Sequence, residues 1–591
     1  MPTHGRRMNG TQARSGIRRH DTSALSFRRA GADSGEALAS LQCALVALLA
    51  LSAVALLFLL RGLDDNRLVS WRWVFAPSDL LPLLSILALG LSLAWWASRM
   101  PWNARPAVPL LGLFAFLGCM PLWSEPEVIV DAARYFVQAK HLALYGISHF
   151  ASEWGRQIPA WTDLPLVPFL YGLLFSFAGE TRLAIQIFNS LLLAGTVVLT
   201  YRIGNALWDR PTGMCGAVLL LGMPYLLTQV PLMLVDVPAV FFLTLAAYAA
   251  IAATERGGRV RLLAAAVALA LAALTKYSAW IALAFPPILA LFCSRGERRP
   301  ALARAAAIVL GAMALAGAVL LAKAEVIAGQ IALLWSYQLP ALERWQEGPV
   351  STFLFQIHPF VTLAAAGSIV LAILQRDSRY AAIAAIALLA LALGGRRIRY
   401  LVIAMPMLAL AAAYGLRVLR QIPTRQFVAS CAAVSALAVA YTGYLPFLRE
   451  TSAENLKQAG ALLDAMSGDA VEVIVLPATR SSVNPAVAIP LLDLHTHKRV
   501  IYRRDLSPLP APEPAVRVVS PVRFTWEYPE APFLLGPHEQ RAPVVLVMSA
   551  PDQSLSRAVA SRLVGYVKLR ELAVRDPVFR FQTLVRVYQP T

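Results

Sequence analysis

Long apolar stretches separated by short polar connections fill most of the chain. A helix needs about 20 mostly apolar residues, with ~17 as a minimum, to cross a bilayer. Against that length, crossings are predicted near 38–60, 79–98, 106–122, 182–202, 212–229, 237–254, 260–275, 278–293, 301–322, 352–374, 380–394, 398–416 and 426–447. From about 449 the pattern changes. Residues 452–466 read as a capped amphipathic helix, 471–476 and 544–548 as buried strands, 554–565 as a second helix and 578–588 as a long strand. The pattern therefore predicts a polytopic α-helical membrane protein of about thirteen transmembrane helices over 38–448, followed by a small α/β domain over 449–591. A third segment, 1–37, carries seven arginines among Gly and Ser and reads as a disordered basic tail. Its Arg18-Arg19 and Arg28-Arg29 pairs raise a twin-arginine export signal, but the apolar run that follows is too long and lacks a small-residue cleavage site.

Composition supports the membrane assignment. Hydrophobic residues make up 58% of the 591 and charged residues only 15%, which excludes a soluble enzyme of this size. Lys and Arg number 53 against 34 Asp and Glu, a net charge of +19. In so apolar a chain that excess reflects topology, and no aromatic-laced basic motif points to nucleic acid. Cys43, Cys119, Cys215, Cys293 and Cys431 all lie in apolar runs, which argues against a disulfide framework or thiolate metal site.

Lys and Arg collect on cytoplasmic connections. With the N-terminus inside, the inner loops hold Arg99 and Arg105, Arg202 and Arg210, Arg256 to Arg261, Arg295 to Arg299, Arg376 and Arg379, and Arg417 to Arg425. The protein is then expected in the cytoplasmic (inner) membrane with its C-terminal domain outside the cytoplasm. To keep this order, the apolar stretch 164–178 must not cross, and it reads as a helix at the outer interface. One cluster breaks the rule: Arg396, Arg397, Arg399 and Tyr400 fall between two crossings on the outer side. Either they snorkel to headgroups, or they hold an anion embedded in the membrane.

Other ionisable residues gather at the same depth. The long loop 123–181 carries Asp131, Arg134, Tyr135, Lys140, His141 and Asp163, and is too chemically mixed to be a plain connector. In it, Ala132, Tyr135, Phe136, Ala139 and Leu142 form a helical stripe, which predicts a helix lying on the membrane with Asp131 at its start. Asp236 and Lys276 occupy two short outer junctions. Taken singly, Asp131 and Asp236 fit helix caps and Lys276 fits a solvated cation. Together they suggest chemistry on a lipid with an anionic head. A polyprenyl phosphate carries its phosphate at headgroup depth, where guanidinium forks suit it. A sugar on that phosphate already has a good leaving group, so one carboxylate acting as general base on an acceptor hydroxyl suffices, with inversion at the anomeric carbon.

These residues resemble a known group. Asp131-Ala-Ala-Arg134-Tyr135 with Ala139 and Gly146, Asp163-Leu-Pro165 with Tyr171-Gly and Gly179-Glu180, residues 184–210, 232–238 and 274–276, and the run from Arg396 to Pro406 are similar to the GT-C glycosyltransferases that use polyprenyl-phosphate sugars. That group includes the protein O-mannosyltransferases and the lipid A aminoarabinose transferases. The likeness covers about 120–415 and implies the GT-C fold, with Asp131 as catalytic base. It also implies that Asp163 and Asp236 face the same cavity and that Lys276, Arg396, Arg397 and Arg399 lie near the lipid phosphate. Arg134, Tyr135 and Tyr400 complete the expected substrate-binding set. Two departures bear on donor identity: Ala132 stands where the group often has an acid, and Leu164 where the aminoarabinose transferases have Lys. The expected partners are a lipid-linked sugar donor, a hydroxyl acceptor (protein, lipid or glycan) and membrane lipids. No cofactor is implied, no residue set demands a metal, and metal dependence stays open. Two other classes are weighed against this one: a flippase or exporter of a lipid-linked saccharide, which calls for midplane ionisable groups and repeated halves, and a non-catalytic scaffold.

Overall fold

Among the described residues, each apolar run predicted to cross a membrane is mainly helical. The computed structural model describes residues 44–591 except 65–70, 77, 103–105, 124–128, 295–296, 341–347, 395–396, 478–482, 508–529, 540 and 576–581. The chain divides into two units, Met1–Leu48 and Leu49–Thr591. In the first only residues 44–48 are described, and they are helical; everything below concerns the second. The expected 1–37 tail and Arg396 lie outside the described residues.

Six helices among the described residues have the length and apolarity to cross a membrane: Leu80–Arg99, Arg182–Leu207, Asp236–Arg256, Arg298–Leu321, Ile398–Val418 and Ile422–Glu450. Shorter apolar helices, among them Ala107–Trp123, Tyr277–Cys293 and Ser378–Ala392, coincide with further predicted crossings. The protein is a multi-pass membrane protein. Two runs depart from the single helix expected. Residues 212–229 are interrupted between Leu221 and Pro224. Residues 352–374 form two helices, Ser351–Ile357 and Pro359–Gln375, bent by 117°. Pro359 lacks an N–H, and its ring disfavours helical backbone at the residue before it. That residue, His358, has φ 143°. Its Nδ1 accepts from Phe360 N–H at 3.1 Å and its Nε2 lies 2.7 Å from Ser435 Oγ, so the buried ring satisfies the break.

Two helices lie in the long loop. The first loop helix, Val130–Glu153, is interrupted at Gly146 (φ 81°, ψ 175°). The second, Leu166–Ala178, has 13 residues and a length of ~20 Å. The apolar stripe of the first helix was expected to face lipid, but it is covered by protein instead. Ala132, Tyr135, Phe136 and Ala139 pack with Val167, Tyr171 and Phe175 of the second loop helix and with the turn Leu232 to Val235. Leu142 packs with Phe150, Trp154, Ile158 and Leu164.

The C-terminal domain holds a five-stranded sheet of order β2-β1-β3-β5-β4, made of β1 Ala470–Leu476, β2 Arg499–Tyr502, β3 Val544–Met548, β4 Tyr566–Arg575 and β5 Gln582–Pro590. β1 runs parallel to β2 and β3, and β5 antiparallel to β3 and β4. Helices Glu454–Asp464 and Pro485–Leu494 supply Leu456, Leu463, Ile489 and Leu492 to its core. The helix expected over 554–565 shrinks to Arg557–Arg562, and the long strand expected over 578–588 is Gln582–Pro590. Strands β2 and β4 and the helix Pro485–Leu494 were not foreseen. His495 and His497 follow that helix in a loop, with His497 bonded to Asp464 at 2.7 Å.

Candidate active site

A helix repeats every 3.6 residues, so Asp131, Arg134, Tyr135 and Gln138 share one face of the first loop helix. Arg134 forks onto Asp163: Nε to Oδ2 at 2.6 Å and Nη2 to Oδ1 at 2.9 Å. Tyr135 donates to Asp163 at 2.9 Å, and Gln138 donates at 3.2 Å. Trp161 lies 4.4 Å beneath the Arg134 guanidinium. The carboxylate of Asp163 is thus saturated by donors from one helix face, and its side chain is 3% exposed.

Asp131 stands in the first turn of its helix, yet it caps nothing: the N-cap position is Ile129, and no side chain caps there. Its oxygens meet cations instead. Arg399 Nη1 is 2.5 Å from Oδ2, and Arg134 Nη2 is 3.3 Å from Oδ1. Arg399 also reaches Asp236, Nε to Oδ2 at 2.9 Å, and Lys276 Nζ sits 2.7 Å from Asp236 Oδ1. Lys276 lies 4.8 Å over the Tyr400 ring. Asp236 likewise begins a helix without capping it, since the N-cap is Val235.

One network therefore joins Asp163, Arg134, Asp131, Arg399, Asp236 and Lys276, and the charge of Arg397 also reaches Asp131. The four cations exceed the three acids by one. Burial by itself would raise the Asp131 carboxyl, but Arg399, Arg134 and Arg397 outweigh it and hold that carboxyl well below the usual carboxylate range. Asp131 is also the accessible acid: its side chain is 26% exposed, against 3% for Asp163 and 1% for Asp236. Of the three acids, Asp131 is the one that presents surface to a group entering from outside.

The expected residues that are described come together, but their surroundings differ. Asp163 backs Arg134 and Tyr135, and Asp236 backs Arg399 and Lys276. Sequence reasoning passed over Gln138 and, while noting Trp161 in the mixed loop, gave it no place in the site. Gln138 carries a signal, since it falls one helical turn beyond Arg134 and Tyr135 on the same face; Trp161 sits in irregular backbone and carries none. Among the described residues no group of three or more His, Cys, Asp or Glu is placed to hold a metal ion.

Residues 162–322 match the family model described as dolichyl-phosphate-mannose-protein mannosyltransferase. That stretch includes Asp163, Asp236 and Lys276 but begins after Asp131. No curated protein matches the chain. Among solved structures, ArnT from Cupriavidus metallidurans bound to undecaprenyl phosphate is similar over 82% of this chain and 98% of its own, with a TM-score of 0.52 and 13% identity. The same protein in the apo state gives a TM-score of 0.53 at 12% identity over the same shares. At such identity the likeness is one of fold, and the fold of this chain is GT-C.

Proposed function

We propose that this protein is an inverting glycosyltransferase that moves one sugar from a polyprenyl-phosphate-linked donor to a hydroxyl acceptor at the outer face of the cytoplasmic membrane. The observation that carries the reading is the contact of accessible Asp131 with Arg399, a cation 268 positions away in the chain. A proton acceptor and a phosphate-binding group then lie side by side. The family-model match over 162–322 and the ArnT fold, one structure of which holds undecaprenyl phosphate, agree with that donor class.

In this reading Arg399, Arg397 and Lys276 face the donor phosphate, with Arg396 beside them in sequence. The acceptor oxygen attacks the anomeric carbon while the bond from that carbon to the phosphate oxygen breaks. The electron pair leaves with the polyprenyl phosphate, and the hydroxyl proton passes to Asp131. Attack from the face opposite the leaving group inverts the configuration. Asp163 and Asp236 lie behind the site and fix their cations. Tyr400 offers a ring edge to the donor.

The test compares envelope lipids, glycans and glycoproteins by mass spectrometry with and without the gene. One sugar should disappear in its absence and return with the wild-type chain. Asp131→Asn, produced in equal amount, should leave it missing, with transfer by purified protein lowered ~10²–10⁴-fold. Restoration of the sugar by Asp131→Asn would remove that residue from the mechanism. An export defect in the lipid-linked precursor without any missing sugar would favour a flippase.

A further inference from the structure

The first loop helix has a second face, about a third of a turn from the one that bears Asp131, and it meets the C-terminal domain. Val137 packs against the core of that domain, and Leu494 reaches back into the core of the loop. Between them Lys140 Nζ lies 2.8 Å from Asp493 Oδ2 and 3.0 Å from Glu180 Oε2. The Phe533 ring closes the contact, with its centroid 5.2 Å from Lys140 Nζ and 5.1 Å from the fully buried ring of His141. Asp493 is 4% exposed and Lys140 13%, so both charges are withdrawn from water.

We propose that the C-terminal domain is a clasp on the helix that carries Asp131, with Lys140 and Asp493 as positioning residues that set where Asp131 stands. The inference rests on the sugar-transfer reading for the role of Asp131. Between Asp131 and Lys140 the helix is uninterrupted, a rod of ~13 Å, so a tilt at Lys140 displaces Asp131. Beyond Lys140 the helix breaks at Gly146, so the later half cannot hold the first. The Lys140 contact is thus the ionic anchor nearest the break on the rigid part. Misplacing a reacting group by ~1 Å costs on the order of 10²-fold in rate, which is why a remote anchor matters to the chemistry. Burial sets the cost of breaking the pair: loss of Lys140 strands the Asp493 charge in a dry contact, loss of Asp493 leaves Lys140 with only the more exposed Glu180, and replacing both by apolar side chains removes the buried charge pair altogether.

The test uses the full chain in lipid nanodiscs with Lys140→Met, Asp493→Leu and the double variant. Hydrogen exchange is followed over 130–142, with β3 as the measure of domain folding, and transfer kinetics are taken on the same preparations. Each single variant should exchange at least ~10-fold faster over 130–142 with β3 unchanged, and should lose at least ~10-fold in kcat at unchanged KM for the lipid donor. The double variant should return to within ~3-fold of wild type in both readouts. Single variants that exchange like wild type over 130–142, or a double variant no better than the singles, would overturn the proposal. Loss of β3 protection in a single variant would also overturn it, because the pair would then serve domain folding and not helix placement. If the wild-type chain transfers no sugar, the exchange data still decide the clasp, and it is the sugar-transfer reading that has failed.

Discussion

The guanidinium of Arg399 faces Asp131 and Asp236, carboxylates from different segments, and this governs how Asp131 titrates. Burial pulls its proton affinity up; Arg399, Arg134 and Arg397 pull it further down. A carboxylate held below its ordinary range is charged throughout the neutral and mildly acidic range, but it is a weak base. In the proposed complex, donor phosphate would add negative charge beside Arg399, weakening the hold of that cation on Asp131 and raising the basicity of Asp131. The expected pH profile follows from that difference. The acid limb of kcat/KM, which reports the free enzyme, should fall below ~pH 4, the ordinary Asp value, and the limb of kcat should lie higher. Steady-state rates between pH 3.5 and 7 check this, and limbs that coincide at or above the ordinary value would contradict it. The same shift adds stability above the unfolded-state value of ~3.9, and that contribution is lost as pH falls from there through the folded value.

Between elements, the close approach of the two loop helices depends on Gly172. A Cβ at this position would meet Leu142 Cβ at 2.6 Å and the Ala139 carbonyl oxygen at 2.9 Å. Gly172→Ala should therefore destabilise by ~1–3 kcal/mol through overpacking. Gly367→Ala, where nothing lies within 4 Å, should be neutral or stabilising by up to ~1 kcal/mol from helix propensity. Thermal unfolding of both variants in detergent separates the two. Elements were legible where one physical rule dominates: crossing helices follow from run length, and Val544–Met548 follows from continuous burial. The break at His358 was also within reach, since Pro359 sits inside an otherwise apolar run. Strand β4 was not, because Lys568, Arg570, Glu571 and Arg575 leave it largely exposed and without a two-residue alternation. The acids and cations of the site could be gathered by depth alone, but their partners could not: Asp493 lies 353 positions from Lys140, and no local pattern encodes that pairing.

For the molecule as a whole, sidedness is the decisive property, because the proposed donor and acceptor meet on one face of the membrane. Alkaline phosphatase fused after Thr591 should be active and a green fluorescent protein fused there dark; the reverse would put the C-terminal domain and its clasp in the cytoplasm. The ionic network also orders events in time. Its members at 131, 134, 163, 236, 276 and 399 leave the ribosome one after another, so the acids are made before the Arg399 guanidinium that two of them share. Until the segment beginning at Ile398 inserts, Asp236 opens an apolar helix with only Lys276 to answer it. A nascent chain stopped short of Arg399 therefore holds every carboxylate of the site and no working pocket, with Asp131 facing Arg134 alone and Asp236 facing Lys276 alone.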